Sequence, residues 1–203
     1  MATNVLAPNG LLWSRNIYGA PTAQANAYKI KKGYATAIGL GDLVKTLTGG
    51  NQGYVGPSVL NDTSGLGVFG GVLAYFDTTF QQTQHGLVGA WPTTANPSAD
   101  VDCVVYSSPN DVFRVQASGG PWVVSYRGQN VNWLSGTNGA PNTIGISTLA
   151  VDLTTVGTSN TLPLRILGVV GVPGGPNDPA NTNPFIEVMF NPNWLEMLQG
   201  AGV

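Results

Sequence analysis

Short runs of apolar and β-branched residues alternate with turn-forming residues from residue 26 to residue 190, and no helical pattern lies between them. Such runs, spaced roughly 8 to 12 residues apart, are typical of antiparallel β proteins. The clearest runs are residues 27–47, 67–80, 101–117, 147–153, 163–170 and 185–190. We therefore predict an all-β fold whose core is an antiparallel sandwich, a jelly-roll-like structure or a barrel.

The run at 101–117 predicts a hairpin in particular detail. Residues 101–107 and 112–117 flank the tetrapeptide SPND at 108–111, in which proline suits the first central position of a type I turn. Alternation then places Phe113, Val115 and Ala117 on one face of the second strand. The other face carries Val112, Arg114 and Gln116, and we expect one face to be core and the other to be at least partly exposed.

The two ends of the chain have a different pattern. Residues 1–25 follow neither a helical nor a strand period, which predicts an extended N-terminal arm in front of a single β domain at 26–203. Large apolar side chains on such an arm need a surface to cover them: Leu11, Leu12, Trp13, Ile17 and Tyr18. At the other end, Asn191 as N-cap, Pro192 after it and Gly200 beyond predict one short helix at 192–199.

Charge and composition narrow the class of protein. Only 9% of the 203 residues are charged, and the net charge is −2, so the surface is unusually poor in charge. Nucleic-acid binding needs many basic residues along the phosphates, and this sequence has only one basic cluster, at Lys29, Lys31 and Lys32. A nucleic-acid partner is therefore disfavoured. No apolar run reaches the roughly 18 residues of a membrane span, and the first residues lack a secretory pattern, so we expect synthesis in the cytoplasm and no membrane partner.

Candidate chemistry is sparse. The GxGxxG spelling at 65–70 lacks the following helix of a dinucleotide site, and the sole histidine, His85, has no cysteine cluster or GxSxG motif beside it. The single cysteine, Cys103, excludes an internal disulfide. Four oxygen donors in one loop could hold calcium, although turns favour the same residue types: Asn177, Asp178, Asn181 and Asn183. We expect no catalytic residue, metal or cofactor, and so no enzyme.

Several segments, read in order, resemble a family of tailed-phage virion proteins, the head decoration or cement proteins. They are GYATAIGLGDLV at 33–44, GVFGGVLAYFD at 67–77, VVYSSPNDVFRVQ at 104–116, and PLRILGVV followed by FIEVMFN. The resemblance spans about residues 10–191, with Ser107 and Ser108 standing where the family often has an acidic pair.

The resemblance implies a protein on the outer surface of the virion capsid that stabilises contacts between major capsid protein subunits. It also implies a homo-oligomer, for which we favour a trimer over a dimer. We expect the capsid or subunit interface to include Leu11, Leu12, Trp13, Ile17, Tyr18 and Trp133. Deletion of residues 1–25 is then expected to weaken capsid binding while the core stays folded.

An alternative of another class is a receptor- or glycan-binding module of the virion. Five tryptophans lie beside Gly, Pro or Asn, where they could stack on sugars: Trp13, Trp91, Trp122, Trp133 and Trp194. Copy number distinguishes the two functions. The resemblance to phage proteins implies hundreds of copies per particle for a cement protein and a few dozen or fewer for a receptor-binding protein.

Overall fold

A computed structural model describes residues 4, 6–19, 23, 25–51, 53–79, 81, 87–95, 97–175 and 177–196. Within them the chain forms twelve strands and two three-residue 3-10 turns, at Gly49–Asn51 and Val124–Tyr126. The strands are β1 Leu12–Asn16, β2 Ala25–Ile30, β3 Leu43–Thr46, β4 Val55–Pro57, β5 Gly67–Leu73, β6 Leu87–Val88, β7 Val101–Tyr106, β8 Asp111–Ser118, β9 Asn130–Trp133, β10 Val151–Gly157, β11 Leu164–Val170 and β12 Phe185–Phe190. The predicted all-β fold is confirmed.

One sheet closes into a five-stranded barrel. Its strands follow the order β8, β10, β9, β11, β12, and β12 pairs back onto β8 from Phe185↔Gln116 to Met189↔Val112. β1 adds beside the first half of β8, and the last residues of β8 pair in parallel with β10. Closure of the ring removes the free edges that an open sheet exposes, with β1 as the remaining edge strand.

A second, antiparallel sheet has the order β2, β7, β5, β3, β4, with β6 paired to β5. Each sheet has its own cluster of buried apolar side chains, around Phe113 and Leu164 in the barrel and around Phe69 and Trp91 in the second sheet. Leu43 of β3 and Val68 of β5 pack into the barrel cluster, so the core continues from one sheet into the other.

The predicted hairpin at 101–117 is wrong in its pairing, although both strands and the turn are present. The N–H of Asp111 donates to the carbonyl of Ser108 at 3.2 Å, as a β-turn requires. The turn is a corner, however: β7 belongs to the second sheet and β8 to the barrel. The physical reason is that β1 and β10 occupy one edge of β8 and β12 the other, so no edge is left for β7.

The predicted arm contains a strand. Residues 12–16 form β1, and Leu11 before it is buried, so this stretch belongs to the barrel sheet. A bulge between Trp13 and Arg15 breaks the register with β8 and hides the alternation that marks a strand in sequence. Residues 1–3, 5, 20–22 and 24 of the predicted arm lie outside the described residues.

The predicted C-terminal helix is not formed over the part of it that the structure describes. Residues 192–194 are a turn, and Leu195 makes a parallel bridge with Gly65. Trp194 and Leu195 are both fully buried, and their packing holds the chain against residue 65 instead of allowing a second helical turn. Residues 197–199 lie outside the described residues. No helix among the described residues is long and apolar enough to cross a membrane.

Candidate interaction surface

The structure divides the six predicted interface residues into two groups. Leu11 and Trp133 are each only 2% exposed and belong to the barrel core, so this fold leaves them unavailable to a partner. Trp13 is partly buried against the same core. The other three are exposed and lie along β1 and the turn after it: Leu12 at 46%, Ile17 at 38% and Tyr18 at 80%. We call these three residues the N-terminal apolar edge.

Hydrogen bonds fix the N-terminal apolar edge at both of its ends. Before β1, the N–H of Leu11 donates to the carbonyl of Gly41 at 3.0 Å. After it, the buried Asn16 donates through Nδ2 to Asp111 Oδ1 at 3.2 Å and accepts through Oδ1 from the N–H of Tyr18 at 2.9 Å. The N–H of Ile17 donates to the carbonyl of Asn110 at 3.0 Å. The exposed side chains are therefore presented from a fixed backbone.

An ion pair ties β1 to the barrel across β8. Arg15 Nη2 lies 2.7 Å from Glu187 Oε2 on β12, and the Ser14 hydroxyl donates to Glu187 Oε1 at 3.4 Å. On β8, Arg114 is in register with Glu187 of β12 and with Leu12 of β1. The Arg15 side chain is half exposed, so this pair contributes at most about 1 kcal/mol and serves mainly to set the position of β1.

Residues before β1 contact the long loop at 171–184. Asn4 Nδ2 donates to the carbonyl of Asp178, and Asn183 Nδ2 donates to the carbonyl of Asn4 at 3.1 Å. The N–H of Ala7 donates to Gln116 Oε1 at 2.7 Å. This part of the predicted arm therefore lies on the chain's own surface.

Two of the four oxygen donors in the same loop, Asn177 and Asp178, use their side-chain oxygens to hold its shape. The carboxylate of Asp178 accepts from the N–H groups of Ala180 and Gly174, which lowers its pKa below the ordinary value. Asn177 donates through Nδ2 to the carbonyl of Val170 and accepts through Oδ1 from the N–H of Phe185. No group of three or more His, Cys, Asp or Glu side chains among the described residues is arranged to hold a metal ion.

Most of the tryptophans that the glycan-binding alternative needs are in the core. Trp91, Trp133 and Trp194 are at most 2% exposed. Trp194 stacks on Phe190 and meets Trp133 edge-on, with ring centroids 6.2 and 6.5 Å apart. Trp122 is partly buried and packs edge-on against Tyr126. Three of the five rings are thus inaccessible to a sugar.

Asp42 is a buried acidic residue that the sequence did not predict. Asp42 is fully buried, and its carboxylate accepts from the Ser147 hydroxyl at 2.5 Å and from the N–H of Gly39 at 2.6 Å. Burial raises the pKa of Asp42, and these hydrogen bonds offset the rise in part. Ser147 is itself fully buried, so the pair joins two segments and is closed to a substrate. The local signal was Gly39 of GLGD, where an added Cβ would meet the Ser147 backbone at 2.9 Å.

The remaining candidates from the sequence are Cys103, the GxGxxG spelling and His85, and none of them forms a site among the described residues. Cys103 is fully buried in β7, and burial raises the pKa of its thiol to about 12. The GxGxxG spelling falls at the start of β5, which is a strand and not the opening of a helix. His85 lies outside the described residues.

Comparison with known proteins adds no relative. Neither a protein-family model, nor a curated protein, nor a solved structure matches this chain.

Proposed function

We propose that this protein is a virion decoration protein that binds the outer surface of a phage head and stabilises contacts between major capsid protein subunits. It acts as a homo-oligomer, with a trimer favoured over a dimer. Binding is through the N-terminal apolar edge, formed by Leu12, Ile17 and Tyr18.

The observation that carries the proposal is the way those three side chains are presented. They are 46%, 38% and 80% exposed, yet their backbone is held by hydrogen bonds to the loop at Gly41 and to the corner at Asn110 and Asp111. Exposed apolar and tyrosine side chains on a fixed backbone lose little conformational entropy when a partner covers them. The choice of a capsid as partner is supported by the ordered series of motifs that resembles the decoration family.

The closed barrel suits the same role. A shell protein must withstand the pressure of packaged DNA. In a closed ring of paired strands, most strands have a hydrogen-bonded neighbour on both sides, so few edges are left from which the fold can unravel. Each copy needs only modest affinity, because many copies on one shell add their contributions.

Reconstitution on heads tests the proposal. Mature heads stripped of their decoration protein are mixed with the purified protein, pelleted, and the bound copies counted per shell. We expect saturation in the hundreds of copies and greater resistance of the heads to heat and low salt. No binding, or binding of a dozen copies without added resistance, would overturn the proposal and favour a receptor-binding role.

A further inference from the structure

A polar cleft lies on the barrel away from the N-terminal apolar edge. It has a volume of about 490 Å³ and is formed by the turn after the second 3-10 turn, by β9 and β11, and by residues 191–193. Its volume falls within the roughly 300–1,000 Å³ of small-molecule sites. The side chains that matter chemically are Gln129, Asn130, Thr158 and Arg165.

The cleft contains a fixed positive charge without a counter-charge. Arg165 is exposed, and its Nε donates to the carbonyl of Gly128 at 3.1 Å, which orients the guanidinium group. The ion pairs of the described residues are made by Arg15, Lys29 and Lys45, so Arg165 belongs to none of them. Its two Nη groups have no hydrogen-bond partner in the described part of the chain and can donate to both oxygens of one carboxylate.

The amide groups around Arg165 offer acceptors. Gln129 Nε2 donates to the carbonyl of Ser125 at 3.0 Å, and Asn130 Nδ2 donates to the carbonyl of Ser159 at 2.8 Å. These bonds hold each amide group by its nitrogen atom. The side-chain oxygens of Gln129 and Asn130 accept no hydrogen bond from the described part of the chain and are open to a ligand. Arg165 and Asn130 are direct partners in the β9–β11 pairing, which places their Cβ atoms about 5 Å apart.

The strand next to this pair leaves room for a ligand. On the other side of Asn130 the register partner is Gly157 of β10, which has no side chain. A Cβ added to Gly157 would meet only the Thr155 carbonyl oxygen, at 3.8 Å. The row across the three strands therefore presents a guanidinium group, an amide oxygen and an open position, with the Thr158 hydroxyl beside it.

We propose that this cleft binds an acidic saccharide, with the sugar carboxylate on Arg165 and sugar hydroxyl groups donating to the oxygens of Gln129 and Asn130. A phosphate or sulfate ion would satisfy the guanidinium group but set its own oxygens against the amide oxygens, which are acceptors as well. A neutral sugar would leave the charge without a partner. The lining includes no aromatic ring for stacking, so the dissociation constant is in the millimolar range.

Titration with a matched pair of sugars, followed by two-dimensional NMR of the full chain, tests the proposal. Methyl glucuronide and methyl glucoside differ only in the carboxylate. We expect saturable shifts from the glucuronide at residues of the cleft and binding at least tenfold weaker for the glucoside. Arg165→Gln should weaken glucuronide binding at least tenfold, and Arg165→Lys should give an intermediate loss because it keeps the charge without the fork.

Arg127→Gln is the control variant, since Arg127 is exposed and next to the cleft but does not line it. It should bind the glucuronide as the wild type does. Equal binding of the two sugars, equal losses in Arg127→Gln and Arg165→Gln, the same shifts from inorganic sulfate, or no shift at all would each overturn the proposal. Because the assay uses no phage heads, its failure is distinguishable from a failure of the decoration role.

Discussion

Gly65→Ala is expected to destabilise the protein sharply, because the indole ring of Trp194 occupies the space that a side chain would need. A Cβ at residue 65 would meet Cη2, Cζ2 and Cζ3 of that ring well inside van der Waals contact, the last at 2.6 Å. The ring has little room to retreat. It is fully buried, it stacks on Phe190, and its Nε1 donates to the carbonyl of Asp62 at 3.0 Å.

The size of the effect follows from the two ways in which the structure can respond. If the barrel core shifts to admit the methyl group, overpacking costs about 1–3 kcal/mol. If the indole leaves its place, the loss approaches the roughly 3–5 kcal/mol of a deleted tryptophan. Trp194 is enclosed on several sides, so we expect about 3 kcal/mol. In a chain of this length that lowers Tm by about 6–12 °C.

Thermal unfolding followed by circular dichroism measures this loss, with Gly50→Ala as the matched control. A Cβ at Gly50 meets nothing within 4 Å, and neither Gly50 nor Gly65 has a positive φ, so the two variants differ only in packing. The control should remain within about 0.5 kcal/mol of the wild type. Equal Tm values for the two variants, or a fall of less than about 2 °C in Gly65→Ala, would refute the packing argument.

Three further predictions concern buried groups and the N-terminal segment. Asp42 has a raised pKa in the folded state, so its contribution to the free energy of unfolding is fully present below its unfolded pKa and is lost as pH rises through the raised value. Urea denaturation between pH 4 and pH 8 should therefore show Asp42→Asn costing more at pH 4 than at pH 7, and a cost that grows with pH would contradict this. The thiol of Cys103 is fully buried and has a pKa of about 12, so a thiol reagent at pH 8 should leave it unmodified until the protein unfolds. Rapid labelling of the native protein would contradict this by showing that the thiol is accessible. Deletion of residues 1–25 removes β1 and the buried Leu11, so it should lower Tm by several degrees. The sequence alone had predicted that the core is independent of this segment. An unchanged Tm would support that earlier prediction and contradict this one.

Local patterns predicted the strands better than their partners. In β8, Phe113, Val115 and Ala117 share a face that packs into the barrel core, as the alternation allows. The other face is less exposed than expected, because Val112 and Gln116 are buried and only Arg114 is exposed. The SPND turn lies where its residues place it. The choice of partner strand depended on something that no local pattern contains. β8 is enclosed by three strands from distant parts of the chain, and their packing outweighed the short connection to β7.

The sequence predicted only part of the N-terminal apolar edge, because its residue types do not show which side chains face the core. Apolar residues at 11–18 indicated a surface to be covered, but their types did not separate Leu11, which faces the core, from Leu12, which faces solvent. The bulge after Trp13 removed the alternation that would have shown it. The pairing of Arg165 with Asn130 was also invisible, because it requires the register between β9 and β11.

We propose that the N-terminal apolar edge attaches the protein to a phage head. The most direct test compares the affinity of three proteins for stripped heads. They are the wild type, the double variant Ile17→Ser/Tyr18→Ser, and Ile144→Ser, whose side chain is 75% exposed elsewhere on the surface. All three should stay folded at the temperature of the assay, because Tyr18 and Ile144 are largely exposed and Ile17 is 38% exposed. We expect the double variant to bind at least tenfold more weakly, while Ile144→Ser binds as the wild type does. Equal binding by all three proteins, or an equal loss in both variants, would contradict it.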